Sequence, residues 1–168
     1  MSTITVEPLT PEAFAPFGEV LRPGLDPTHI NEGRCERHDM AARLAFLGGG
    51  APGIALFRSE AVSLPYDLTL LEHHPLGSQA FMPAAPCRWM VIVALDEAGR
   101  PGRPRAFLPA PGVGVNLAAG CWHGVLTPLD APADFWVLDR GGPNPSANLV
   151  VHAVEPPITV LPPAEARP

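Results

Sequence analysis

The residue types with the clearest chemical capacity gather in two short segments. The first runs from Glu72 through His73, His74, Pro75, Leu76, Gly77, Ser78 and Gln79 to Pro83. The second runs from Gly112 to His123 and carries Asn116, Gly120, Cys121 and Trp122. Three of the six histidines of the chain fall inside them, which reads as two halves of one active site. Imidazole exchanges protons near neutral pH, so His74 and His123 are the expected proton carriers, with Glu72 as a base or as the group that orients a ring. The same side chains have a competing use. Two imidazoles and a carboxylate, with Gln79 as a neutral fourth donor, form a set that holds Mn, Ni, Fe or Zn with positions left open. An organic cofactor is not expected.

These segments need rigid elements to bring them together, and the sequence points to strands. Leu68, Leu70, Glu72 and His74 alternate, so on an extended chain they share one face that turns from leucine to acid and imidazole. Trp89 to Leu95 is continuously apolar, as suits a strand buried on both sides, with a turn at 96–99. Further strands are expected at residues 4–6, 54–58, 79–82, 113–117, 123–126, 135–138 and 149–154. Thr10 followed by Pro11 marks the start of a short helical turn. Residues 23–35 read as loop, and Pro156-Pro157 and Pro162-Pro163 as an extended tail. With 23 Pro and 16 Gly among 168 residues, long helices have little room. An all-β fold in a single domain over residues 1–168 follows as the expectation.

Composition narrows the partners. The net charge of −6 and the scattered arginines disfavour nucleic acid and anionic membranes. No apolar run is long enough to span a bilayer, and no signal-like segment opens the chain, so the cytoplasm is the expected compartment. The three cysteines, Cys35, Cys87 and Cys121, show no paired spacing and read as free thiols, with Cys121 as buried filler. Trp89 and Trp136 are expected in the core, and His73 is expected to be exposed.

The two segments resemble the paired motifs of the cupin superfamily. Glu72, His74 and Gln79 fall on the first His, second His and Glu of the first motif. Gly112, Ala118, Gly120 and His123 fall on the Gly, Pro, Gly and His of the second. A closer resemblance is to the ureidoglycolate lyase family. His74 to Pro83 is similar to that family's His-Pro-Leu-Gly-(Ser/Thr)-Gln-Ala-Phe-(Ile/Met)-Pro signature. Gly114-Val115-Asn116, Trp122-His123, Asp134-Phe135 and Asp139-Arg140-Gly141-Gly142 resemble further family segments, as do His29 to Gly33 and Glu36-Arg37. The chain departs from the family pattern at Leu117-Ala118, where Tyr-His is usual, and after His123, where a second His is usual.

The resemblance implies a cupin-type antiparallel β-barrel, jelly-roll-like with short helical turns, acting as a homodimer. It implies cleavage of ureidoglycolate, a small-molecule substrate, to glyoxylate and urea in allantoin degradation. Glu72, His74 and His123 would then be catalytic. Gln79 and Asn116 would hydrogen-bond the ureido group or the hydroxyl. Arg37 or Arg140 would grip the carboxylate, and Asn31 would cover the pocket or meet a second subunit. A metal, if held by Glu72, His74, Gln79 and His123, would polarise the substrate. Alternatives are a related lyase or hydrolase on another small hydroxy or ureido acid, and a silent cupin that binds a small carboxylate.

Overall fold

The computed structural model describes residues 2–40 and 42–164. The chain opens with β1 (Ser2–Pro8), a helical turn α1 (Pro11–Phe14) and β2 (Gly18–Leu21). Thr10 caps α1 as expected, its hydroxyl accepting a hydrogen bond from the Ala13 N–H at 3.2 Å. A small hairpin, β3 (Thr28–Ile30) and β4 (Cys35–Arg37), occupies the region read as loop. It is exposed throughout, so it has no apolar alternation by which to announce itself. The long strands β5 (Ala51–Ser59) and β6 (Tyr66–His73) follow. Then come β7 (Gln79–Pro83) and β8 (Trp89–Ala94). A two-residue hairpin, β9 (Asp96–Glu97) and β10 (Arg100–Pro101), turns through Ala98 and Gly99. The chain continues with β11 (Arg105–Leu108), β12 (Gly114–Leu117), β13 (Trp122–His123) and β14 (Thr127–Pro128). It ends in β15 (Ala133–Gly141), a 3-10 turn (Pro145–Asn148) and β16 (Val150–Leu161).

Six strands close a ring in the order β11, β1, β16, β6, β13, β8, with β8 pairing back to β11. A second sheet of five strands, ordered β2, β12, β7, β15, β5, packs against it. The fold is therefore the expected β-barrel of cupin type, with one difference. The ring is mixed, because β1 runs parallel to both β11 and β16. Alternation reports which face of a strand is buried and carries no information on strand direction, so the pattern could not reveal this.

Strand β8 shows why its sequence is apolar without alternation. Met90, Ile92 and Ala94 enter a cluster with Ile4, Leu71, Ala106, Trp122 and Val160 inside the ring. Trp89, Val91 and Val93 enter another, between ring and second sheet, with Phe81, Phe107, Val115, Leu117 and Phe135. Both faces of β8 are thus core. The Cys121 thiol belongs to the second cluster, and burial pushes its pKa up to about 12, as befits filler. Trp136 departs from expectation: it lies on the outer face of the second sheet and is 49% exposed. Strand β15 alternates, and its buried parity belongs to Phe135 and Val137.

Candidate active site

The site lies between the two sheets, and strand register assembles it. His123 on β13 pairs with Glu72 on β6 and with Val93 on β8. Residues paired across a ladder share a face. Val93 belongs to the cluster between ring and second sheet, so His123 and Glu72 face that space. Trp122, one residue earlier, faces the ring interior instead. From the opposite wall, Gln79 pairs with Leu117 and Phe81 with Val115, on the inner face of the second sheet. The Phe81 ring meets His123 edge-on at a centroid distance of 6.1 Å.

His74 joins from just beyond the end of β6. Its backbone carbonyl accepts hydrogen bonds from the N–H groups of Gly77 and Gly120, the latter at 2.9 Å. His73 donates from Nδ1 to the Gly120 carbonyl at 3.1 Å. Gly120 is thus clasped by two consecutive histidines, which ties the two motif segments together. His73 is half-buried, not exposed as expected, because its ring stacks on Trp122 at 3.9 Å with the planes 9° apart. Trp122 in turn donates to Asp96 at 2.8 Å, which holds that carboxyl below its ordinary range together with the Gly99 N–H.

Glu72, His74 and His123 each present one donor atom, all within 4.8 Å of one another. The two imidazoles lie 5.3 Å apart between centroids. Each is anchored in the same way. The His74 Nδ1 donates to the Asn148 carbonyl at 2.7 Å, and the His123 Nδ1 to the Gly124 carbonyl at 3.0 Å. A carbonyl only accepts, so in the neutral rings both protons sit on Nδ1 and both Nε2 lone pairs are bare. Both Nε2 atoms are buried without a partner, as is the Gln79 Oε1. Burial lowers the His123 pKa to about 4; the Gly124 carbonyl opposes this, and the neighbouring His74 and His73 reinforce it. His123 is therefore neutral at pH 7. Bare imidazole nitrogens beside a carboxylate are what a divalent metal requires of its ligands, so the residues present fit such an ion.

A cavity of about 340 Å³ opens onto Glu72 and His123 of this group, and His74 is not part of its lining. Its polar lining is Glu72, Gln79, His123, Ser59 and Arg58, and its apolar lining includes Phe57, Phe81, Val125 and Leu126. Sequence reasoning missed Phe57 and Ser59. They precede the first motif by over a dozen residues, and only the pairing of β5 with β15 carries them to the site. Residues 123–126 were expected as strand. The strand stops at His123, and Gly124 to Leu126 instead form the cavity rim.

Other predicted site residues lie elsewhere. The Arg140 guanidinium is 7% exposed for the residue as a whole and donates to the carbonyls of Leu47 (2.6 Å), Gly48 (3.0 Å) and Pro143 (3.4 Å). It packs so closely over Gly50 and Gly77 that a Cβ at either would lie 2.3 Å and 2.6 Å from its atoms. Its fork is turned to backbone carbonyls and it does not line the cavity, which corrects its assignment to a substrate carboxylate. Arg37 stands on the exposed β4 and bonds Asp39 at 2.8 Å, away from the cavity lining. Asn31 sits exposed in the β3–β4 turn at φ 53°. Asn116 is fully buried, but its neighbours Val115 and Leu117 take the inner face of β12. The amide turns outward and donates to Glu19 at 2.8 Å and to the Arg43 carbonyl at 3.4 Å. Parity along a four-residue strand decided that, and the segment spacing could not show it.

Fold and site together define a cupin-type β-barrel with a cluster of two histidines and one carboxylate at its pocket. The sequence profile of the family described as Ureidoglycolate lyase matches residues 1–161. A ureidoglycolate lyase of Rhodobacter capsulatus is 49% identical over 161 residues, covering 95% of this chain and 99% of the relative. One from Mesorhizobium japonicum is 48% identical over 144 residues, covering 84% and 88%. The protein named ureidoglycolate lyase 2 of Rhizobium meliloti is 43% identical over 162 residues, covering 95% and 98%. The chain belongs to the ureidoglycolate lyase family.

Proposed function

We propose that the protein cleaves ureidoglycolate to glyoxylate and urea at the Glu72–His74–His123 pocket. The observation that carries this reading is the set of three buried unpartnered acceptors, His74 Nε2, His123 Nε2 and Gln79 Oε1, beside one carboxylate. Burying such groups costs free energy unless a ligand satisfies them. The elimination removes the hydroxyl proton, forms the aldehyde C=O, breaks the carbon–nitrogen bond and protonates the departing urea nitrogen. Glu72 is the sole carboxylate on the cavity wall among the described residues and takes the hydroxyl proton, then returns it to the nitrogen. Gln79 Oε1 accepts from a ureido N–H. Phe57, Phe81, Val125 and Leu126 keep bulk water away from the reacting bond.

His74, His123 and Glu72 would hold a divalent ion of the Mn, Ni or Zn type, leaving Gln79 to the substrate. That ion would supply Lewis-acid polarisation and an anchor for the substrate carboxylate. Among the described residues no free arginine lines the wall, which supports this role. Arg58, the one arginine of the described lining, is engaged in a two-bond pair with Asp134 at 2.7 and 2.8 Å.

A homodimer is part of the same reading. Ile54 and Leu56 on the edge strand β5, with Trp136 beside them on β15, expose an apolar outer face. The cytoplasm is the compartment we assign, on the ground that Cys35 is an exposed free thiol. No helix among the described residues is long and apolar enough to cross a membrane. The test of the activity is a coupled assay for glyoxylate and urea with the purified chain and ureidoglycolate. Equal release of both supports the assignment, and release of neither refutes it.

A further inference from the structure

We propose that Asn148 is a positioning residue that sets the tautomer and direction of His74. Asn148 closes the 3-10 turn that follows β15 and is 8% exposed. It holds both ends of the His74–Leu76 segment. Its backbone carbonyl accepts from His74 Nδ1 at 2.7 Å, and its side-chain Oδ1 accepts from the Leu76 N–H at 2.8 Å. Pro75, between them, has no N–H to offer. The Leu76 bond is therefore the tie that keeps the segment against the Asn148 backbone. The side chain clamps the peptide, the clamped peptide presents its carbonyl, and that carbonyl keeps the His74 proton on Nδ1. The Nε2 lone pair is then left facing Glu72 and His123, the three donor atoms lying within 4.8 Å of one another.

This role is distinct from that of Arg140, which ties the preceding Pro143 carbonyl and does not touch either histidine. It is also distinct from that of Gly124, whose carbonyl serves His123. A clamp of this kind orients a ligand or base without meeting substrate, and losing one commonly costs about 10–100-fold in activity or metal affinity.

The kinetic part of this inference rests on the lyase reading above; the tautomer part does not. The test uses the full metal-free chain labelled with ¹⁵N, at about pH 8, where an ordinary imidazole is neutral. Two-bond nitrogen–proton spectra of the imidazoles report which nitrogen carries the proton. Wild type and Asn148→Asp, whose carboxylate still accepts from Leu76, should both show His74 as a single Nδ1–H form. Asn148→Ala should show a mixture of tautomers, and its kcat should fall by about 10–100-fold with a smaller change in KM. The aspartate variant should recover most of that loss. If the alanine variant does not fold, Asn148→Ser serves in its place. The proposal is overturned if wild-type His74 carries its proton on Nε2, or if the shortened variant keeps the wild-type tautomer. Activity is assayed with Mn, Ni or Zn supplied; a wild type inactive with each of them, whose His74 tautomer still shifts in Asn148→Ala, would refute the lyase reading and support the clamp.

Discussion

Glu72 and His123 stand directly opposite each other across the β6–β13 ladder. Thirty-odd apolar positions line the cores on either side, yet this one cross-strand pair is an acid facing a buried imidazole. Removing either function should disable chemistry before it disables folding. Glu72→Gln and His123→Asn should each lower kcat/KM by about 10²–10⁴-fold, with far-ultraviolet circular dichroism unchanged. Activity within threefold of wild type for Glu72→Gln would remove the carboxylate from the reaction.

The same buried ring gives the metal-free protein a pH-dependent stability. The His123 pKa falls from an unfolded value of 6.5 to about 4 in the fold. Between those values the unfolded chain binds the proton more readily, so stability decreases as pH falls from about 6.5 towards 4. The contribution is complete above that window and amounts to roughly 3 kcal/mol. Urea unfolding across this range should show the slope, and His123→Asn should flatten it.

Divalent metal should raise the melting temperature, because the three donor atoms converge only in the folded state. At a hundredfold excess over Kd the gain is about 2.7 kcal/mol. Calorimetry with Mn, Ni and Zn measures it. Glu72→Gln should reduce the gain and His74→Ala should remove it; equal shifts in all three proteins would place the ion elsewhere.

Arg140→Met should unfold the protein more easily without altering the pocket. Three carbonyls lose their donors, at a cost of about 2–4 kcal/mol. Chemical denaturation should show this, while KM for the folded enzyme stays within twofold. A large rise in KM with unchanged stability would restore Arg140 to substrate binding.

The apolar outer face of β5 and β15 should hold two copies together. Sedimentation should give a dimer for wild type and a monomer for Ile54→Asp combined with Trp136→Ser. A wild-type monomer at micromolar concentration would leave that face to another partner.

Much of the scaffold was legible because period-two alternation, prolines and the Thr10 cap are local signals, each acting within a few residues. The continuous run of β8 was readable for the same reason, since apolar side chains on both parities need core on both faces. Less legible was the exposed β3–β4 hairpin, whose residues make no core contacts and so carry no pattern. Strand β16 was partly missed as well. It runs on to Leu161 through Pro156-Pro157, where its pairing with β6 shifts register between Ala153 and Ile158. Proline removes ladder donors, and a bulge is how a strand accommodates it. A local reading sees only the interruption.

The sequence by itself determined the chemical inventory: two imidazoles, an acid and an amide in two segments, on a chain too rich in proline for long helices. Those identities are covalent and survive any fold. Tertiary structure alone decided which of the polar residues share a space. Ladder register put Glu72 opposite His123, strand parity turned Asn116 away, and packing over Gly50 and Gly77 committed Arg140 to backbone carbonyls. Register and parity depend on partners distant in the chain, because a one-residue slip reverses every side chain. No local spacing encodes that choice.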